Sequence, residues 1–347
     1  MSRVAVVTSS PPLTEGGHLV IARAIVDTLR VMGHQADLVT TPQNRFGRQA
    51  SAYLATWMTD VGLDGAGRAV DQVISLRFPS YAVRHPRHVC WLNHTMREYY
   101  DLWPRFRATL GTKAIVKEEI RRRLIRAADK YLLTRNVDRL FVQSRTIQKR
   151  LEALGRVRST VLYPPPPARA YRCDGYGDYF FAVSRLAPLK RFDLLLRALA
   201  EPAARGIRCV IGGDGEERDR LAALARELGV ADRVQMIGRL DSSGLVHHLA
   251  RCRAVVFIPY EEDYGFVTVE AFSAGKPIVT CHDSGGPAEL VTDERHGLVC
   301  APDPSALATA LRRLIDDGAA AERMGAAARR VADAMSWPRA VQELLIT

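Results

Sequence analysis

Two glutamates, Glu262 and Glu270, are separated by seven residues around the start of a predicted helix. The apolar run 254–259 predicts a buried strand, and residues 268–274 favour a helix. Glu262 is therefore expected on the strand-to-helix loop, and Glu270 about one turn into the helix. The N–H groups of residues 265–267 would point out of the helix start, where they favour an anion. Together these groups indicate a nucleotide-sugar site. One carboxylate would bind sugar hydroxyls, the helix start would bind a phosphate, and the other carboxylate would bind a ribose.

Either glutamate alone has a simpler explanation. Glutamates are common at helix starts because they complement the helix dipole, and two carboxylates at this spacing also occur by chance. The interpretation of Glu262 and Glu270 therefore depends on the residues around them.

Two basic residues, Arg185 and Lys190, flank a loop between the predicted strand 179–183 and the predicted helix 192–200. Arginine offers a planar fork to phosphate oxygens, and lysine offers a compact positive charge. Two fixed cations beside helix amides would stabilise the negative charge on a departing nucleoside diphosphate. The alternative is a surface loop with ordinary basic residues.

Three glycine-containing turns and one histidine are weaker signals. Glycine turns after strands are common, and a single histidine among nine is usually structural. These residues are Gly16 and Gly17 before a predicted helix, Gly212 and Gly213 after a strand, Gly238 with Arg239 after another, and His94 at the end of the strand 89–92.

Together the motifs resemble the signature of family 4 glycosyltransferases, which are retaining enzymes of the two-domain GT-B fold. The resemblance is carried by Glu262, Gly265, Phe266, Glu270, Ala271, Gly275 and Pro277, by the runs 285–291 (GGPAELV) and 297–299 (GLV), and by the S-R-L-x-x-x-K pattern at 184–190.

The resemblance implies a role for each candidate residue. Glu262 would hold donor hydroxyls and stabilise developing positive charge, while Arg185 and Lys190 would clamp the diphosphate. His94 would hydrogen-bond the donor sugar. The nucleotide-binding set would comprise Gly16, Gly17, Gly212, Gly213, Gly238, Arg239, Gly265, Phe266, Val267 and Glu270, with Glu270 on the ribose.

No metal and no cofactor are expected besides the donor substrate, a nucleotide diphosphate sugar that is UDP- or GDP-linked. The chain contains no strict D-x-D motif, which holds a metal on the diphosphate in the other main glycosyltransferase fold. Arg185 and Lys190 would supply the positive charge instead.

The expected fold class is α/β, with two doubly wound Rossmann-like domains that face a central cleft, as in GT-B. A chain of 347 residues exceeds the roughly 250–300 at which a single core stops growing. Strands alternate with helices on both sides of the proline run 164–167. We therefore expect two domains, at 1–164 and 165–335, and the resemblance implies that the first lies on the acceptor side and the second binds the nucleotide sugar. The resemblance implies that a helix in 336–347 packs back on the first domain.

Positive charge is concentrated in one region. The net charge is +11, and residues 97–172 contain 19 Lys or Arg against 7 Asp or Glu. Solvated helix faces are the simplest explanation, and an anionic acceptor, an anionic membrane or nucleic acid are the alternatives. Nucleic acid is disfavoured because no binding motif accompanies the charge. An anionic membrane surface is a partner that this region would suit.

The compartment expected from the sequence is the cytoplasm, with possible attachment to the inner face of the membrane. The six cysteines contain no C-x-x-C pair, which indicates buried thiols in a reducing compartment. Residues 1–7 predict a first strand rather than a signal sequence, and no apolar run approaches the ~20 residues of a membrane span.

The function expected is the transfer of a hexose, with retention, to a hydroxyl of a polysaccharide, a glycolipid or a small-molecule glycoside. One alternative is a nucleotide-sugar epimerase of the same fold, which needs no acceptor. Another is a basic nucleic-acid-binding protein on a degenerate scaffold. The acceptor, the donor base and sugar, the linkage and the oligomeric state stay open at this point.

Overall fold

The computed structural model describes residues 1–13, 16–43, 46–155 and 157–346 and divides the chain into two compact units. Unit 1 comprises residues 1–164 and 336–347, and unit 2 comprises residues 165–335. The boundary lies between Pro164 and Pro165, inside the run of four prolines. Because proline has no backbone N–H to donate to a ladder, neither sheet continues through this run.

Unit 1 is built from alternating strands and helices. Its elements before the proline run are β1 (Arg3–Ser10), α1 (Gly17–Val31), β2 (Gln35–Pro42), α2 (Gln49–Trp57), β3 (Gln72–Arg77), β4 (His88–His94), α3 (Trp103–Ala108), α4 (Thr112–Arg135), β5 (Arg139–Val142), α5 (Arg145–Glu152) and β6 (Thr160–Val161). The strands form one parallel sheet in the order β2-β1-β3-β4-β5-β6. The strand order reverses between β1 and β3, which opens a crevice at the carboxyl edge of the sheet.

Unit 2 repeats this architecture. Its elements are β7 (Tyr179–Val183), α6 (Phe192–Ala200), β8 (Arg208–Gly212), α7 (Arg218–Glu227), β9 (Val234–Gly238), α8 (Ser242–Arg251), β10 (Ala254–Val256), α9 (Phe266–Ser273), β11 (Ile278–Cys281), α10 (Gly286–Leu290), β12 (Gly297–Cys300), α11 (Pro304–Asp316) and α12 (Gly318–Asp333). Its parallel sheet has the order β12-β11-β10-β7-β8-β9, so the reversal lies between β7 and β10. Phe180 and Phe181 of β7 point to opposite faces, and both are fully buried, as expected for a sheet covered on both sides.

The final helix, α13 (Trp337–Leu344), packs on unit 1. The ring of Trp337 meets the ring of Trp91 in β4 edge to face, with centroids 6.2 Å apart. The Gln72 side-chain amide donates a hydrogen bond of 2.6 Å to the carbonyl of Leu344. The tail expected to form a helix is therefore part of unit 1.

Local sequence explains most element boundaries. The strands predicted within 1–7, 89–92, 179–183 and 254–259 are all present, although β10 ends at Val256. The strand β7 and the helix α6 begin and end at the predicted residues. Asp241, Asp303 and Asp317 cap α8, α11 and α12, each accepting a hydrogen bond from the amide three residues later. The helices α2, α3, α4 and α5 and the short strand β6 were not predicted.

The cysteines and the helices bear on two of the sequence expectations. Most of the six cysteines are buried free thiols, as expected: Cys90, Cys209, Cys252 and Cys281 are buried, Cys300 is half-buried and Cys173 is exposed. In the part of the chain that the structure describes, no helix has the length and apolar character needed to cross a bilayer.

A buried carboxylate fixes the long helix α4 to the rest of unit 1. Asp129 is fully buried, and it accepts hydrogen bonds from the hydroxyls of Tyr53, Tyr81 and Tyr100, the last at 2.5 Å. Burial raises the pKa of Asp129, although the three hydroxyls oppose this shift. The tyrosines come from three separate parts of unit 1, so one carboxylate joins α4 to all of them.

Replacing Asp129 should destabilise the protein far more than replacing a surface carboxylate of the same helix. Asp129→Ala leaves three buried hydroxyls without their acceptor, each costing about 1–3 kcal/mol, so we expect a loss of about 3 kcal/mol or more in urea unfolding. Glu119→Ala is the matched control, because its ion pairs with Arg122 and Arg123 lie at the surface and should contribute about 0–1 kcal/mol. Equal losses from the two variants would contradict the role assigned to Asp129.

Candidate functional site

The strongest candidate site lies at the carboxyl edge of the unit 2 sheet, where the strand order reverses. β7 and β10 are neighbours there although two strands separate them in sequence. The loop 184–191 follows β7, and the loop 257–265 follows β10. Parallel sheets of this topology form their ligand crevice where such loops diverge.

Two of the predicted catalytic residues are in direct contact at this point. The Lys190 ammonium donates to Glu262 Oε2 at 2.6 Å, and the two side chains are 18% and 21% exposed. The ammonium also lies 5.5 Å from the centroid of the Phe257 ring. Because lysine carries three N–H donors, Lys190 can hold Glu262 and still donate to a ligand.

Arg191, the residue after Lys190, connects the loops that form the site. Its guanidinium donates two hydrogen bonds of 2.7 Å to Asp283 and further bonds to the carbonyls of Ile258 (2.7 Å) and Pro259 (2.8 Å). Its backbone is left-handed, with φ of 53°, which is unfavourable for a residue with a side chain. Sequence reasoning gave Arg191 no role, because its partners lie at least 67 residues away and nothing local marks the left-handed position.

The predicted phosphate ligand Arg185 is exposed. Its side chain has no hydrogen bond or ion pair with any residue that the structure describes, so it does not contact Lys190 or Glu262. Arg185 is therefore a cation that is open to an incoming anion, whereas Lys190 is already paired.

The glycines after β8 support the loop that carries Arg185. Gly213 has a φ of 124°, and a Cβ added there would lie 1.8 Å from the carbonyl oxygen of Ser184. The amide of Leu186 donates to the carbonyl of Asp214 at 2.9 Å. Gly212 is the last residue of β8, and Gly213 after it allows the backbone to approach the loop at Ser184 closely.

The loop after β9 is attached to the same structure. The carbonyl of Gly238 accepts a hydrogen bond of 2.7 Å from the amide of Gly213. Arg239 follows and is exposed. The predicted residues Gly238 and Arg239 therefore lie on a loop that is joined, through Gly213, to the loop of Arg185.

The start of α9 has the form predicted from the sequence. Gly265 precedes the helix with φ of 79°, and a Cβ added there would lie 2.5 Å from the Phe257 ring. Phe266 and Val267 are the first two residues of the helix and are half-buried. Their amides have no acceptor within the helix, so they are available to an anion.

The predicted ribose ligand Glu270 is buried and already has protein partners. It is 7% exposed, and its Oε1 accepts hydrogen bonds from Arg169 and, at 3.2 Å, from the Tyr171 hydroxyl. Burial raises the pKa of Glu270, and Arg169 and Tyr171 oppose this shift. Arg169 and Tyr171 belong to the connecting segment (residues 165–178) between the proline run and β7.

The second oxygen of Glu270 has a different environment. Oε2 has no hydrogen-bond partner among the residues that the structure describes, while Oε1 takes both contacts from the connecting segment. Glu270 can therefore keep Arg169 and Tyr171 and still accept a hydrogen bond from a ligand. The two partners were missed at the sequence level because they lie 101 and 99 residues from Glu270.

The unit 1 candidates lie at the carboxyl edge of their own sheet. Gly16 precedes α1, Gly17 is its first residue, and His94 ends β4. His18 follows the glycines, and its pKa is lowered to about 4 by burial and by the nearby Arg77 and His94. The sequence analysis did not single out His18 or Arg77.

Several polar side-chain atoms near this edge are buried and have no hydrogen-bond partner within the described part of the chain. They are Thr8 Oγ1, Asn93 Oδ1, Thr95 Oγ1 and Gln143 Nε2. Buried polar atoms normally have partners, so this edge of unit 1 is suited to water or to a polar ligand.

No group of three or more His, Cys, Asp or Glu side chains among the described residues could hold a metal ion. The positive groups at the unit 2 edge include the side chains of Arg185 and Lys190 and the start of α9. These groups suit an anionic ligand such as a diphosphate.

Part of the chain matches a known family. Residues 172–331 match the family model described as glycosyl transferases group 1. This range lies within unit 2 and includes Arg185, Lys190, Glu262 and Glu270.

Two curated relatives are similar over shorter segments. The chain is 38% identical over 134 residues to a glycogen synthase from Mycobacterium tuberculosis, covering 38% of this chain and 32% of that protein. It is 36% identical over 168 residues to a D-inositol 3-phosphate glycosyltransferase from Streptomyces avermitilis, covering 45% of this chain and 36% of that protein. The matched segments thus span about a third of each relative's own length.

Solved structures resemble almost the whole chain. The sucrose-phosphate synthase from Thermosynechococcus elongatus superimposes with a TM-score of 0.76 at 18% identity, covering 98% of this chain and 97% of that one. Anabaena HepE in complex with UDP-glucose gives a TM-score of 0.68 at 16% identity, covering 98% of both chains. This likeness concerns the fold, and the chain has the GT-B fold of glycosyltransferases, with a unit 2 that matches the glycosyl transferases group 1 model.

Proposed function

We propose that the protein is a retaining glycosyltransferase that moves a hexose from a nucleotide diphosphate sugar to an acceptor hydroxyl. The observation that carries the proposal is the Lys190–Glu262 pair of 2.6 Å at the reversal of strand order, on a loop that also carries the exposed Arg185. The pair supports the proposal because a cation that suits a diphosphate lies in contact with a carboxylate that suits sugar hydroxyls.

In this proposal the donor lies along the carboxyl edge of unit 2. Its diphosphate contacts Arg185, the free N–H groups of Lys190 and the amides at the start of α9. Its ribose donates a hydroxyl hydrogen bond to Glu270 Oε2. All of these groups belong to unit 2, so the proposed donor site is built within one unit.

Glu262 acts on the transferred sugar. A carboxylate beside the anomeric carbon stabilises the positive charge that develops as the bond to the diphosphate lengthens. The acceptor hydroxyl attacks from the side on which the diphosphate departs, which retains the configuration. The departing diphosphate takes the acceptor proton, and Arg185 and Lys190 stabilise its charge.

The acceptor is proposed to bind unit 1. The unpartnered polar atoms of Thr8, Asn93, Thr95 and Gln143 would pair with the hydroxyls of a polyhydroxylated ligand. His94 and His18 lie near the same edge. We also propose that His94 hydrogen-bonds the donor sugar.

The donor is proposed to be UDP- or GDP-linked. HepE, which shares the fold, was crystallised with UDP-glucose, and this supports UDP-glucose as the first donor to test. The names of the two curated relatives point to sugar or polyol acceptors, which agrees with the polar edge of unit 1.

A nucleotide-sugar donor should stabilise the folded protein. At a hundredfold excess over its dissociation constant, a donor adds about 2.7 kcal/mol, which is a readily visible rise in melting temperature. We expect this rise with UDP-glucose or GDP-linked sugars in a thermal-shift screen. A screen in which no nucleotide sugar shifts the melting temperature would contradict the proposal. Conversion of the donor alone into a different nucleotide sugar would instead identify an epimerase.

Replacing Glu262 and replacing Glu270 should impair the protein in different ways. Glu262→Ala removes the charge beside the reacting sugar, and we expect a fall in turnover of about a hundredfold. Donor affinity should change little, because Lys190 is released from its pair and becomes fully available to the diphosphate. Glu270→Ala removes a charge-assisted hydrogen bond to ribose, and we expect donor affinity to fall by about tenfold or more. Single-turnover rates and calorimetric donor titrations separate the two effects.

Two further variants control for structure. Tyr171→Phe removes one contact to Glu270 Oε1 but leaves the carboxylate, so donor affinity should stay near that of the parent protein. Glu262→Gln keeps the shape and one acceptor oxygen beside Lys190 but loses the charge, so its turnover should fall as well. Full turnover by a folded Glu262→Ala protein would rule out this assignment.

Transfer should not depend on a divalent metal. Arg185 and Lys190 supply two positive charges at the diphosphate, which is the role that magnesium has in other transferases. We expect a chelator to leave donor turnover nearly unchanged. Complete loss of activity with chelator, restored by magnesium or manganese, would show that the charge assignment is wrong.

A further inference from the structure

The long helix α4 exposes an apolar surface on the side opposite to its packed face. The packed face is formed by Glu118, Ile125, Asp129 and Leu133, all buried. The opposite side carries large apolar side chains that are 57–66% exposed. These residues, called here the outer stripe, are Val116, Ile120, Leu124 and Tyr131.

The spacing of the outer stripe places its members on one line. At about 100° per residue, positions 116, 120, 124 and 131 fall within an arc of roughly 80° centred opposite the packed face. At about 1.5 Å per residue, the stripe is roughly 22 Å long. Single exposed apolar residues are ordinary, but an aligned set on one helix marks an interaction surface.

Basic residues border the outer stripe on both sides. Lys117 and Arg135 lie along one side, Arg123 and Lys130 lie along the other, and all four are exposed. The exposed Lys113 lies at the N-terminal end of the stripe. Lysine and arginine can lay their methylene groups along an apolar surface and keep the charge at its rim. The outer side of α4 is therefore apolar along the centre and positive along its edges.

Among the acidic residues of α4, every residue of which the structure describes, only Glu119 pairs with one of these bordering cations, Arg123. Asp129 is buried among three tyrosines. Glu118 is buried and accepts from the Tyr99 hydroxyl at 2.6 Å. Glu119 is paired with Arg122 and Arg123.

The buried contacts also determine which side of α4 faces outward. Rotating α4 would move Asp129 away from the three tyrosines and leave a buried charge and three hydroxyls without hydrogen-bond partners. The helix is therefore held in one rotation about its axis. The outer stripe stays exposed although burying it would be favourable, which is the arrangement expected of a fixed docking surface.

We propose that the outer side of α4 binds an anionic lipid membrane, with the helix lying in the plane of the interface. Val116, Ile120, Leu124 and Tyr131 enter the boundary between head groups and acyl chains, and the bordering lysines and arginines meet the lipid phosphates. The combination of an apolar stripe with basic borders favours an anionic membrane over other partners. Nucleic acid would use the charge and leave the stripe in water, and a second copy would bring like charges together.

Flotation of the full chain with phosphatidylglycerol-containing vesicles tests the proposal. We expect binding to these vesicles, little binding to pure phosphatidylcholine vesicles, and weaker binding as salt is raised. Ile120→Ser with Leu124→Ser should weaken binding by about tenfold or more, because apolar insertion is lost. Lys117→Glu with Lys130→Glu should also weaken it by about tenfold or more.

Matched variants outside α4 control for general apolar character and net charge. Val31→Ser with Met58→Ser removes two exposed apolar side chains elsewhere in unit 1, and Arg23→Glu with Arg226→Glu makes the same change in net charge. Both should bind vesicles as the parent chain does. All substituted residues except Met58 and Arg226 lie on unit 1 helices. A melting temperature equal to that of the parent chain shows that a variant is folded.

The outcomes distinguish the partners. Equal binding to neutral and anionic vesicles, or vesicle binding that survives both α4 double variants, would overturn the proposal. A dimer in sedimentation that is lost in the Ile120/Leu124 variant would assign the stripe to a second copy, and tight salt-sensitive binding of duplex DNA without vesicle binding would assign the charge to nucleic acid. No donor is present in these experiments, so their result is independent of the transferase proposal.

Discussion

The guanidinium of Arg191 is the interaction on which the candidate site in unit 2 depends. It joins the loop after β7 to the loops after β10 and β11 through Asp283, Ile258 and Pro259. A left-handed residue with a side chain costs about 1–2 kcal/mol, whereas a hydrogen bond to a charged group contributes about 1.5–3 kcal/mol. The contacts therefore outweigh the backbone strain, and they hold Lys190 beside Glu262.

Unit 1 uses a buried charge in a comparable way. Asp129 is removed from water, which is unfavourable for a carboxylate, but the hydroxyls of three tyrosines replace the lost solvation. The result is one fixed orientation of α4, with its apolar outer stripe and basic borders turned to solvent. In both units a polar group with several distant partners sets the geometry of a proposed binding surface, and the hydrophobic core alone would leave that geometry less defined.

The sequence was sufficient for features that depend on local patterns. Alternating strands and helices gave the two α/β units, and the spacing around Glu262 and Glu270 correctly predicted one on a loop and the other inside α9. Features that depend on distant partners were missed, including Arg191 with Asp283 and the contacts of Arg169 and Tyr171 with Glu270. The helix α4 was missed for another reason: its apolar residues lie on two opposite faces, so no single amphipathic period appears.

Glu270 was predicted from its motif as a ribose ligand, and the structure shows that it also has partners within the protein. Its Oε1 holds Arg169 and Tyr171 of the connecting segment, and its Oε2 has no partner in the described part of the chain. A ligand hydroxyl on Oε2 would strengthen the ionised form, because burial opposes the charge and each added donor offsets that cost. The same charge also attracts Arg169. Ligand binding and retention of the connecting segment therefore favour the same protonation state of Glu270, and the two contacts support each other rather than compete.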